Sequence, residues 1–589
     1  MEYFLKERIG NPILFTGRQK ELAYFLKWIS QIKEGKSKST AILARRKIGK
    51  TALMERLFNI TFYNNDGVIP FYYEVKEGKK WSVDFCKDFF LTFIYQYIAF
   101  KTRKAGYFGV EKRNTLEGAK QAAVKEGLDY LTGIISDVEN AIRNEEIDNL
   151  WLYVRDAPKT IAESMNEFIV QMIDEFQFLN SEIYWDKAKT NRADDFAAGY
   201  LSTAESKVAP LIVSGSWVGW LMNLLMIMLP SRFKFTFPQH MPQDEAIEMV
   251  FNYSRFFEVP VTEETAYLIA QLAEGSPFYI SALFRSNYEE KNLATVDGLI
   301  RTLEFETLDN RGEIKYTWME YVSKAFSKIN DRNAKNIVLY LCKHRKREVT
   351  RKELLDQLQL DMTDTQLEKR LKALVKADII QQGETNFDYT GVQDNIFDKV
   401  FRGVYQKEID GFNPSEIAKE YRGASQKLKQ KYHSLQGKFN YQKGYFAEYV
   451  ILDQLTHHAV ARNKLLKSIT HNLPEDFNFR PYQSAWTYRT AVIHAKGLTI
   501  DILARPKTGG DDTKPGYAII GEVKNRDSKK FSKEEAVQFL EKFHHIKEKE
   551  NLTDVIGFIF SRKGFTKEAE AHLQSNHIAW SEDERWLEL

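Results

Sequence analysis

The sequence predicts a multidomain α/β protein. At roughly 150 residues per domain, its 589 residues correspond to three to five domains. Apolar runs typical of strands alternate with helical stretches over residues 38–238, which favours a parallel sheet covered by helices. A second alternation of strands and helices begins near residue 438, and the chain between these regions is mainly helical in its pattern.

The composition excludes several classes of protein. Charged residues make up 28% and apolar residues 43%, a globular mixture that excludes a disordered, collagen-like or coiled-coil chain. The sum of 84 Lys and Arg against 81 Asp and Glu gives +3, which neither requires nor excludes nucleic acid. Cys86 and Cys342 are too few for a disulfide framework or a cysteine-rich zinc site. With no apolar signal core at residues 1–8, we expect a cytoplasmic location.

The first element is a strand, turn and helix over residues 38–58. Residues 44–51, ARRKIGKT, fit the phosphate-binding pattern G-x-x-x-x-G-K-[ST], except that Ala44 replaces the first glycine. We expect Lys50 to reach the β- and γ-phosphates and the Thr51 hydroxyl to ligate Mg²⁺. Backbone amides of the turn would hold phosphate oxygens; the turn residues assigned to the nucleotide are Arg46, Lys47 and Gly49. The alternative is a basic turn that only precedes a helix.

Further strands are expected at FIVQMI, LIVSGS (211–216) and FKFTFP (233–238), and residues 83–165 are expected to form covering helices or an insertion. Asp174 and Glu175 end the first of these strands. Asp174 can hold Mg²⁺ through water, and Glu175 can orient the attacking water. The alternative for this acidic pair is a helix N-cap.

Residues 211–229 carry no charge and are long enough for a membrane span. Their first half is rich in β-branched residues, and the second half, WVGWLMNLLMIML, is typical of a buried helix. We therefore expect a strand followed by a helix and no membrane contact.

The central part is expected to contain a helical lid at residues 241–330, a winged helix at 331–405 and a helical connector at 406–437. Residues 331–405 show three short helices and a hairpin. Their basic residues can neutralise DNA phosphates; they are Arg345, Lys346, Arg347, Arg351, Lys352, Lys369, Arg370, Lys372 and Lys376. The alternative is a winged helix that contacts protein through a solvated basic face.

The C-terminal region, residues 438–589, carries a second candidate site. Asp501 lies in the strand LTIDILARP, and Glu522 and Lys524 lie in the strand AIIGEVKN. Residues two apart share one face of a strand, so Glu522 and Lys524 point together. If the strands pair, two carboxylates can hold Mg²⁺ or Mn²⁺ beside a lysine that orients or deprotonates water. The alternative is an exposed Glu–Lys face.

Several motifs in residues 10–285 resemble one family. They are FTGRQKE at 15–21, the phosphate-binding turn, IDEFQFL, SGSWVG and EGSPFY at 274–279. Together they resemble the archaeal-type P-loop ATPases within the signal-transducing (STAND) NTPases, relatives of the AAA+ class. The resemblance implies ATP binding, slow hydrolysis and an ATP-driven conformational switch. It implies Ser214 or Ser216 as a sensor, Arg232 as an arginine acting across a homo-oligomer, and Asp174 and Glu175 in the roles given above; the alternative for Arg232 is a solvated turn.

The order of elements in residues 438–589 resembles the restriction-endonuclease-like PD-(D/E)xK nucleases. This resemblance implies that Asp501 and Glu522 bind metal together with Glu448, an acid on the preceding helix. It implies that Lys524 is catalytic and that Gln538, on the following helix, contacts substrate or metal. The two resemblances together imply an ATP-regulated, Mg²⁺-dependent DNA endonuclease, in defence against foreign DNA, repair or mobile-element processing. The alternatives are an ATP-switched DNA-binding regulator with an inactive nuclease fold, and a DNA-remodelling or membrane-associated ATPase.

Overall fold

The structure is a computed structural model that describes residues 4–109, 115–215, 218–329, 332–385, 387–406, 415–489, 499–507 and 516–588. The chain separates into two compact units, residues 1–429 and 430–589.

A parallel sheet forms the centre of the first unit. Its strands are β1 (Thr40–Leu43), β2 (Val68–Glu74), β4 (Phe168–Asp174), β6 (Leu211–Gly215) and β7 (Lys234–Thr236), in the order β2–β4–β6–β1–β7. Strands β3 (Lys80–Trp81) and β5 (Ile183–Tyr184) pair separately. The main strands are buried on both faces, so they appear as continuous apolar runs without alternation. Strand β2 is not among the predicted strands; it contains Pro70 and lies at the sheet edge, where proline is tolerated.

Helices cover this sheet. They are α1 (Gln19–Ser30), α2 (Lys50–Asn64), α3 (Ser82–Thr102), α4 (Leu116–Lys125), α5 (Leu131–Arg143), α6 (Ile147–Met165), α7 (Phe178–Ser181) and α8 (Val218–Met228). Helix α3 is buried around almost its whole circumference and packs aromatic rings against β2, as in the contact of Phe89 with Phe71 at 5.1 Å between ring centroids. This burial explains why residues 83–102 lack a polar stripe.

The uncharged run at 211–229 forms a strand and a short helix, as predicted. Strand β6 lies inside the sheet, and the 11 residues of α8 pack on it through Leu221, Leu224 and Leu225. Within the described residues, no helix is long and apolar enough to cross a membrane.

Helices continue from residue 243 to residue 329. They are α9 (Gln243–Phe257), α10 (Glu263–Leu272), α11 (Pro277–Arg285), α12 (Val296–Leu308) and α13 (Glu313–Ile329). Thr262 caps α10 through a reciprocal capping box, and Pro277 occupies the first turn of α11. A helical lid is predicted for residues 241–330; this segment is helical, and its role as a lid stays a prediction.

Residues 332–401 contain short helices and a small antiparallel sheet. The elements are α14 (Arg332–Lys343), β8 (Val349–Thr350), α15 (Arg351–Leu358), α16 (Asp364–Lys376), β9 (Ile380–Gln382), β10 (Asp388–Gly391) and α17 (Asn395–Phe401). The sheet has the order β8–β10–β9. These are the helices and hairpin on which the winged-helix prediction depends.

The second unit begins inside a long helix, α18 (Ser415–Asp453), which continues across residues 437 and 438, where the sequence analysis placed a domain boundary. The remaining elements are α19 (Asn463–Ser468), β11 (Tyr482–Arg489), β12 (Thr499–Pro506), β13 (Ala518–Lys524), α20 (Lys533–Lys549), β14 (Val555–Ser561), α21 (Lys567–Ser575) and β15 (Ile578–Ser581). The sheet runs β11–β12–β13–β14–β15, antiparallel at its first two pairings and parallel at its last two. Apolar clusters cover both faces of this sheet.

Candidate functional site

The phosphate-binding pattern forms a tight turn between β1 and α2. Lys47 and Gly49 have φ angles of 69° and 94°, in the left-handed region, whereas Ala44 lies outside that region. The methyl group of Ala44 is therefore accommodated in the core without backbone strain. Alternation of left- and right-handed residues turns successive amides toward one concavity, a geometry that binds anions. The left-handed lysine costs about 1–3 kcal/mol, as is common at functional loops.

Lys50 lies inside this concavity at the first position of α2. Its Nζ donates to the carbonyl oxygens of Ala44 at 2.6 Å and Arg45 at 2.9 Å. Burial lowers the pKa of Lys50, and the nearby carboxylates of Glu175 and Asp174 act in the opposite direction. An anion bound in the turn would therefore stabilise the charged form of this lysine.

Asp174 joins the turn to the end of β4. Its Oδ2 accepts from the Thr51 hydroxyl at 2.6 Å, and its Oδ1 accepts from the Ser214 hydroxyl and from the Glu175 amide at 2.9 Å. The Asp174 side chain is fully buried. A hydroxyl and a carboxylate in direct contact supply the oxygen ligands that Mg²⁺ prefers beside a nucleotide. Ser216, the other predicted sensor, lies outside the described residues.

Glu175 stands beside this pair in a strained backbone conformation. Its φ is 54°, uncommon for a residue with a side chain. The Gln177 side-chain amide donates to the Glu175 carboxylate and is buried. Gln177 fixes the direction of the glutamate. Its role was missed because an amide two residues after a glutamate carries no signal in the sequence.

A cavity of about 510 Å³ opens in front of the turn. It lies between the phosphate-binding turn and helices α9 and α11. Cations line it at Arg8, Arg46, Lys47, Lys50 and Arg285, and apolar side chains line it at Ile9, Phe178, Tyr253, Pro277 and Phe278. A cavity that combines cations with apolar rings fits a nucleotide, which has a polyphosphate and a flat base.

Arg8, Tyr253 and Arg285 were missed in the sequence because they approach the turn only through the fold. Arg285 pairs with Glu313 of α13 at 2.7 Å, and the ammonium of Lys47 lies 4.5 Å from the centroid of the Phe278 ring. These contacts connect the turn to α11 and α13. A ligand in the cavity would touch both the sheet domain and the lid.

Arg8 is held at the cavity by carboxylates from two elements. Its guanidinium pairs with Glu74, and its amide donates to the Glu55 carboxylate at 2.8 Å. Burial raises the pKa of Glu55 to about 7, although the Arg8 amide acts to lower it. The folded protein therefore favours the protonated carboxyl of Glu55.

Glu55 gives the first unit a pH-dependent stability. The folded-state pKa of Glu55, about 7, is above its unfolded value. The stability that the first unit gains from a neutral carboxyl at this position is therefore fully present below about pH 4 and is lost as the pH rises through about 7. We expect Glu55→Gln to raise the free energy of unfolding of the first unit by up to about 3 kcal/mol at pH 8 and to change it little at about pH 4. Urea titrations followed by tryptophan fluorescence measure this. The exposed Glu117→Gln is the control, and an unchanged or lower urea midpoint of Glu55→Gln at pH 8 would contradict the prediction.

The phosphate-binding turn also contacts residues 378 and 394. The Arg45 guanidinium donates to the Asp378 carbonyl at 3.3 Å and lies 3.7 Å from the Asp394 carboxylate. It also lies over the Trp318 ring, 5.5 Å from its centroid. The Asp378 carboxylate accepts from the Val218 amide, at the start of α8, at 2.9 Å. One loop, between α16 and β9, therefore binds both the turn and the helix that follows β6.

Asp378 is a partly buried acid near the cations of the turn. Burial raises its pKa to about 6, while the Val218 amide, Arg45 and Lys50 act to lower it. Its backbone is left-handed, with φ of 52°, so this position is fixed by tertiary contacts. The residue and its contacts were missed because it is more than 300 positions from Arg45 in the sequence.

Several of the predicted DNA-contacting lysines and arginines of residues 331–405 are engaged within the chain. Arg345 donates to the Asn395 side chain, Arg370 to the Met362 sulfur, and Lys372 pairs with Glu368. Arg351 is buried between Asp364 at 3.2 Å and Glu368 at 2.8 Å, and Arg347 pairs with Glu353. Exposed side chains remain at Lys346, Lys352, Lys369, Lys372 and Lys376. The backbone at the end of α16 packs close to Gly219 of α8, so this end of the predicted recognition helix faces the sheet domain.

Arg232, the predicted arginine across an oligomer, contacts its own chain. Its Nε lies 2.9 Å from the Glu205 carboxylate, and one terminal nitrogen donates to the Pro230 carbonyl. An action on a neighbouring copy would require these contacts to break.

The second candidate site lies on β12 and β13 of the C-terminal unit. The strands are antiparallel with Ile502 opposite Gly521, so Asp501 falls beside Glu522. The Lys524 ammonium lies 2.6 Å from the Glu522 carboxylate and 3.7 Å from that of Asp501. The geometry therefore brings these three predicted residues together. Burial raises the pKa of Asp501, with a further contribution from the charge of Glu522.

Lys542 of α20 also reaches this cluster. Its ammonium lies 3.4 Å from Glu522. Gln538 is exposed one turn earlier on the same face of α20, because residues four apart on a helix are neighbours. Lys542 could have been predicted as a site residue from the sequence, because it follows Gln538 by four positions on the same helix.

Glu448 lies on α18, partly buried, in the same unit. Among the described residues, no group of three or more His, Cys, Asp or Glu side chains is placed to hold a metal ion. Asp501 and Glu522 are thus a carboxylate pair with two lysines, and a role for Glu448 as a third ligand stays a prediction.

Comparisons with known proteins give distant structural similarities. No family model matches the chain, and no curated protein matches it. A Walker-type ATPase of Pyrococcus abyssi is 15% identical with a TM-score of 0.43, over 68% of this chain and 100% of that one. The ORC2 protein of Aeropyrum pernix, in its ADPNP–ADP complexes, is 12% identical with a TM-score of 0.36, over 69% and 99%. The RuvB Holliday junction branch migration motor of Thermotoga maritima is 13% identical with a TM-score of 0.29, over 66% and 96%.

These neighbours are P-loop ATPases. At such identities and TM-scores, the assignment of a nucleotide site to this chain depends on its own geometry. The first unit has a parallel sheet, a phosphate-binding turn and an acidic strand end in contact with it, which is the arrangement of a P-loop ATPase domain.

Proposed function

We propose that the protein is an ATP-regulated, Mg²⁺-dependent DNA endonuclease. The observation that carries the nuclease part is the contact of Lys524 with both Asp501 and Glu522 on two neighbouring inner strands of a sheet. Two carboxylates beside a lysine are the side chains that metal-assisted phosphodiester hydrolysis uses. The regulatory part is supported by the nucleotide cavity and by the contacts of its turn with residues 378 and 394.

At the nuclease site, each residue has a distinct task. Asp501 and Glu522 would bind Mg²⁺ or Mn²⁺, and the ion would polarise the scissile phosphate. Lys524 would orient the attacking water, because its ammonium is held against both carboxylates. It could take the proton of the water only in its neutral form. Lys542 would stabilise charge that develops on the phosphate, and Gln538 would contact the substrate. Glu448 is proposed as a further metal ligand.

Cleavage of plasmid DNA with Mg²⁺ or Mn²⁺ tests this proposal. We expect wild-type protein to convert supercoiled plasmid to nicked or linear forms and Asp501→Asn to lose at least about a hundredfold in rate. The control Asp476→Asn removes an exposed acid of the same unit and should cut like wild type. Intact DNA with both metals, on plasmid and on linear duplex and single strands, would refute the nuclease.

At the nucleotide site, the chain supplies phosphate, metal and water contacts. Amides of the turn at Arg46, Lys47 and Gly49 would bind the phosphates, and Lys50 would pair with them. Thr51 and Asp174 would hold Mg²⁺, with Ser214 sensing the γ-phosphate through Asp174, and Glu175 would orient water. Arg232 is proposed to act in a homo-oligomer after release from Glu205.

We propose that ATP controls the nuclease through the loop that carries Asp378. The Asp378 carboxylate lies close enough to Lys50 and Arg45 to attract both cations. Phosphates that bind Lys50 and Arg45 would compete with this carboxylate and would weaken the contact between the loop and the turn. Loss of the Arg45 contacts would then loosen this loop from the turn, and release of the Val218 amide from the Asp378 carboxylate would free α16, the predicted recognition helix, from α8. ATP binding would in this way expose a DNA-contacting surface.

Asp378→Asn tests this coupling. Because the pKa of Asp378 is about 6, its negative charge appears as the pH rises through 6 and then opposes phosphate binding. We expect the variant to bind a fluorescent ATP analogue about three- to tenfold more tightly at about pH 8 and equally at about pH 5. The control is Asp361→Asn, an exposed acid of the same segment. Equal affinities of variant and wild type at both pH values would contradict the coupling.

One observation favours a second function, an ATP-switched DNA-binding regulator with an inactive nuclease fold. Lys524 and Lys542 both pair with Glu522, and two lysines can balance the charge of the two carboxylates in a fold that only binds DNA phosphates. Such a protein would bind DNA equally with and without Mg²⁺ and would never cut it. A biological role in defence, repair or mobile-element processing is a proposal by analogy of architecture.

A further inference from the structure

Helix α18 carries aromatic rings that point into solvent where the second unit begins. Tyr441, Tyr445, Phe446 and Tyr449 are each at least half exposed, and Phe439 precedes them at 56% exposure. Such rings are normally buried, and several together on one helix mark an interaction surface. We name Phe439, Tyr441, Tyr445, Phe446 and Tyr449 the aromatic face of α18.

These residues share one side of the helix. Tyr441, Tyr445 and Tyr449 follow one another at intervals of four, and the ring centroids of the first two are 5.9 Å apart. Phe439 and Phe446 are two turns apart on the adjacent row. The opposite side at Ala447 and Ile451 packs into the core of the unit. The aromatic face is therefore held outward by the fold.

The charge along the face is positive. Residues 421–447 contain no Asp or Glu, and Lys431, Lys438 and Lys443 lie among the aromatic residues of the second unit. The Lys443 ammonium lies 4.9 Å from the centroid of the Phe439 ring. Glu448 lies between Phe446 and Tyr449, and the Lys443 ammonium pairs with Asp527, so the lysines exceed the acids along this face without excluding them. Rings interleaved with lysines are complementary to a polyanion that has flat apolar groups.

The face adjoins the proposed nuclease site. The Asn525 side chain, directly after Lys524, donates to the Lys443 carbonyl at 3.1 Å, and the Lys443 ammonium pairs with Asp527 at 3.1 Å. Strand β13 therefore leads from the Asp501–Glu522–Lys524 cluster to this helix.

We propose that the aromatic face of α18 binds single-stranded DNA by stacking unpaired bases on its rings, with the lysines contacting phosphates. Bases in a duplex already have both faces stacked, so exposed rings in a row select unpaired ones. The choice of DNA as the polymer rests on the proposed function. The surface would hold the separated strand or overhang next to the cluster that cuts.

Fluorescence anisotropy with full-length protein tests this proposal. The background carries Lys524→Ala, and EDTA is present, so that binding is read without cleavage. The probes are a labelled oligodeoxythymidine of about 30 nucleotides and a mixed-sequence duplex of the same length. The variants are Tyr441→Ala/Tyr445→Ala/Phe446→Ala and the conservative Tyr441→Phe/Tyr445→Phe, and Tyr63→Ala is a control at an exposed ring in the first unit.

We expect the triple alanine variant to bind the single strand at least about tenfold more weakly and the duplex within about twofold of the parent. The double phenylalanine variant and the control should bind both probes like the parent, which separates stacking from loss of folding. Unchanged single-strand affinity in the triple variant, or no single-strand binding by the parent, overturns the proposal. If the triple alanine variant loses affinity equally for duplex and single strand, the rings do not act by stacking on unpaired bases.

A second copy of the chain is the other molecule that could cover the aromatic face, and sedimentation velocity of the triple variant tests for it. Loss of self-association with unchanged DNA binding would assign the face to a second copy of the chain and overturn the proposal. If single-strand binding depends on the rings but plasmid stays intact with wild-type protein, the proposed cleavage fails while this inference stands.

Discussion

Lys524→Ala is expected to reduce Mg²⁺-dependent DNA cleavage by roughly 10²–10⁴-fold, the range for a positioned acid–base group. Its ammonium bridges Glu522 and Asp501, and alanine removes the group proposed to orient the water. The rate of plasmid nicking at saturating protein measures the effect. DNA affinity should change by less than about threefold, because one cation among many contributes little to binding.

The matched control for this substitution is Lys530→Ala, an exposed lysine that follows the same strand. It should cut DNA at the wild-type rate. A Lys524→Ala protein that cuts within about threefold of wild type would remove the lysine from the mechanism.

Glu175→Gln is expected to reduce ATP turnover by about a hundredfold or more and to leave ATP affinity within about threefold. The carboxylate is aimed into the cavity by Gln177 and lies next to the Thr51–Asp174 pair. The amide keeps the size of the side chain and loses the basic oxygen. Phosphate release and titration with a fluorescent ATP analogue separate turnover from binding.

Glu77→Gln is the matched control, because Glu77 lines the same cavity and is exposed to solvent. Turnover should not change in that variant. If Glu175→Gln hydrolyses ATP as fast as wild type, Glu175 does not orient the water, and an acid such as Glu74 on the neighbouring strand becomes the candidate.

Local patterns predicted the residues that lie within one strand–turn–helix or one strand pair. The turn at 44–51 fixes Lys50 and Thr51 by its own backbone, and Asp174 ends a run too apolar to lie anywhere but inside the sheet. Glu522 and Lys524 share a face by the two-residue period of a strand. For these residues, the local sequence pattern is enough to predict where the side chains lie.

Residues supplied by distant parts of the fold could not be predicted. Arg285 and Tyr253 enter the nucleotide cavity from α11 and α9, and Asp378 reaches the turn from a loop between α16 and β9. Their neighbours in the sequence show nothing of these contacts, which depend on how helices pack. Lys542 could be predicted only in part. Its helix was expected from the sequence, but the direction of its side chain toward Glu522 follows from packing on the sheet.

The proposed function requires that one chain couple an ATP site to a DNA-cutting site. The most direct measurement is the rate of plasmid cleavage with Mg²⁺, with and without ATP, for wild type, Lys50→Ala and Lys524→Ala. We predict that ATP changes the rate for wild type and not for Lys50→Ala, and that Lys524→Ala cuts under neither condition. A wild-type rate that is the same with and without ATP, or cleavage by Lys524→Ala at the wild-type rate, would contradict the account.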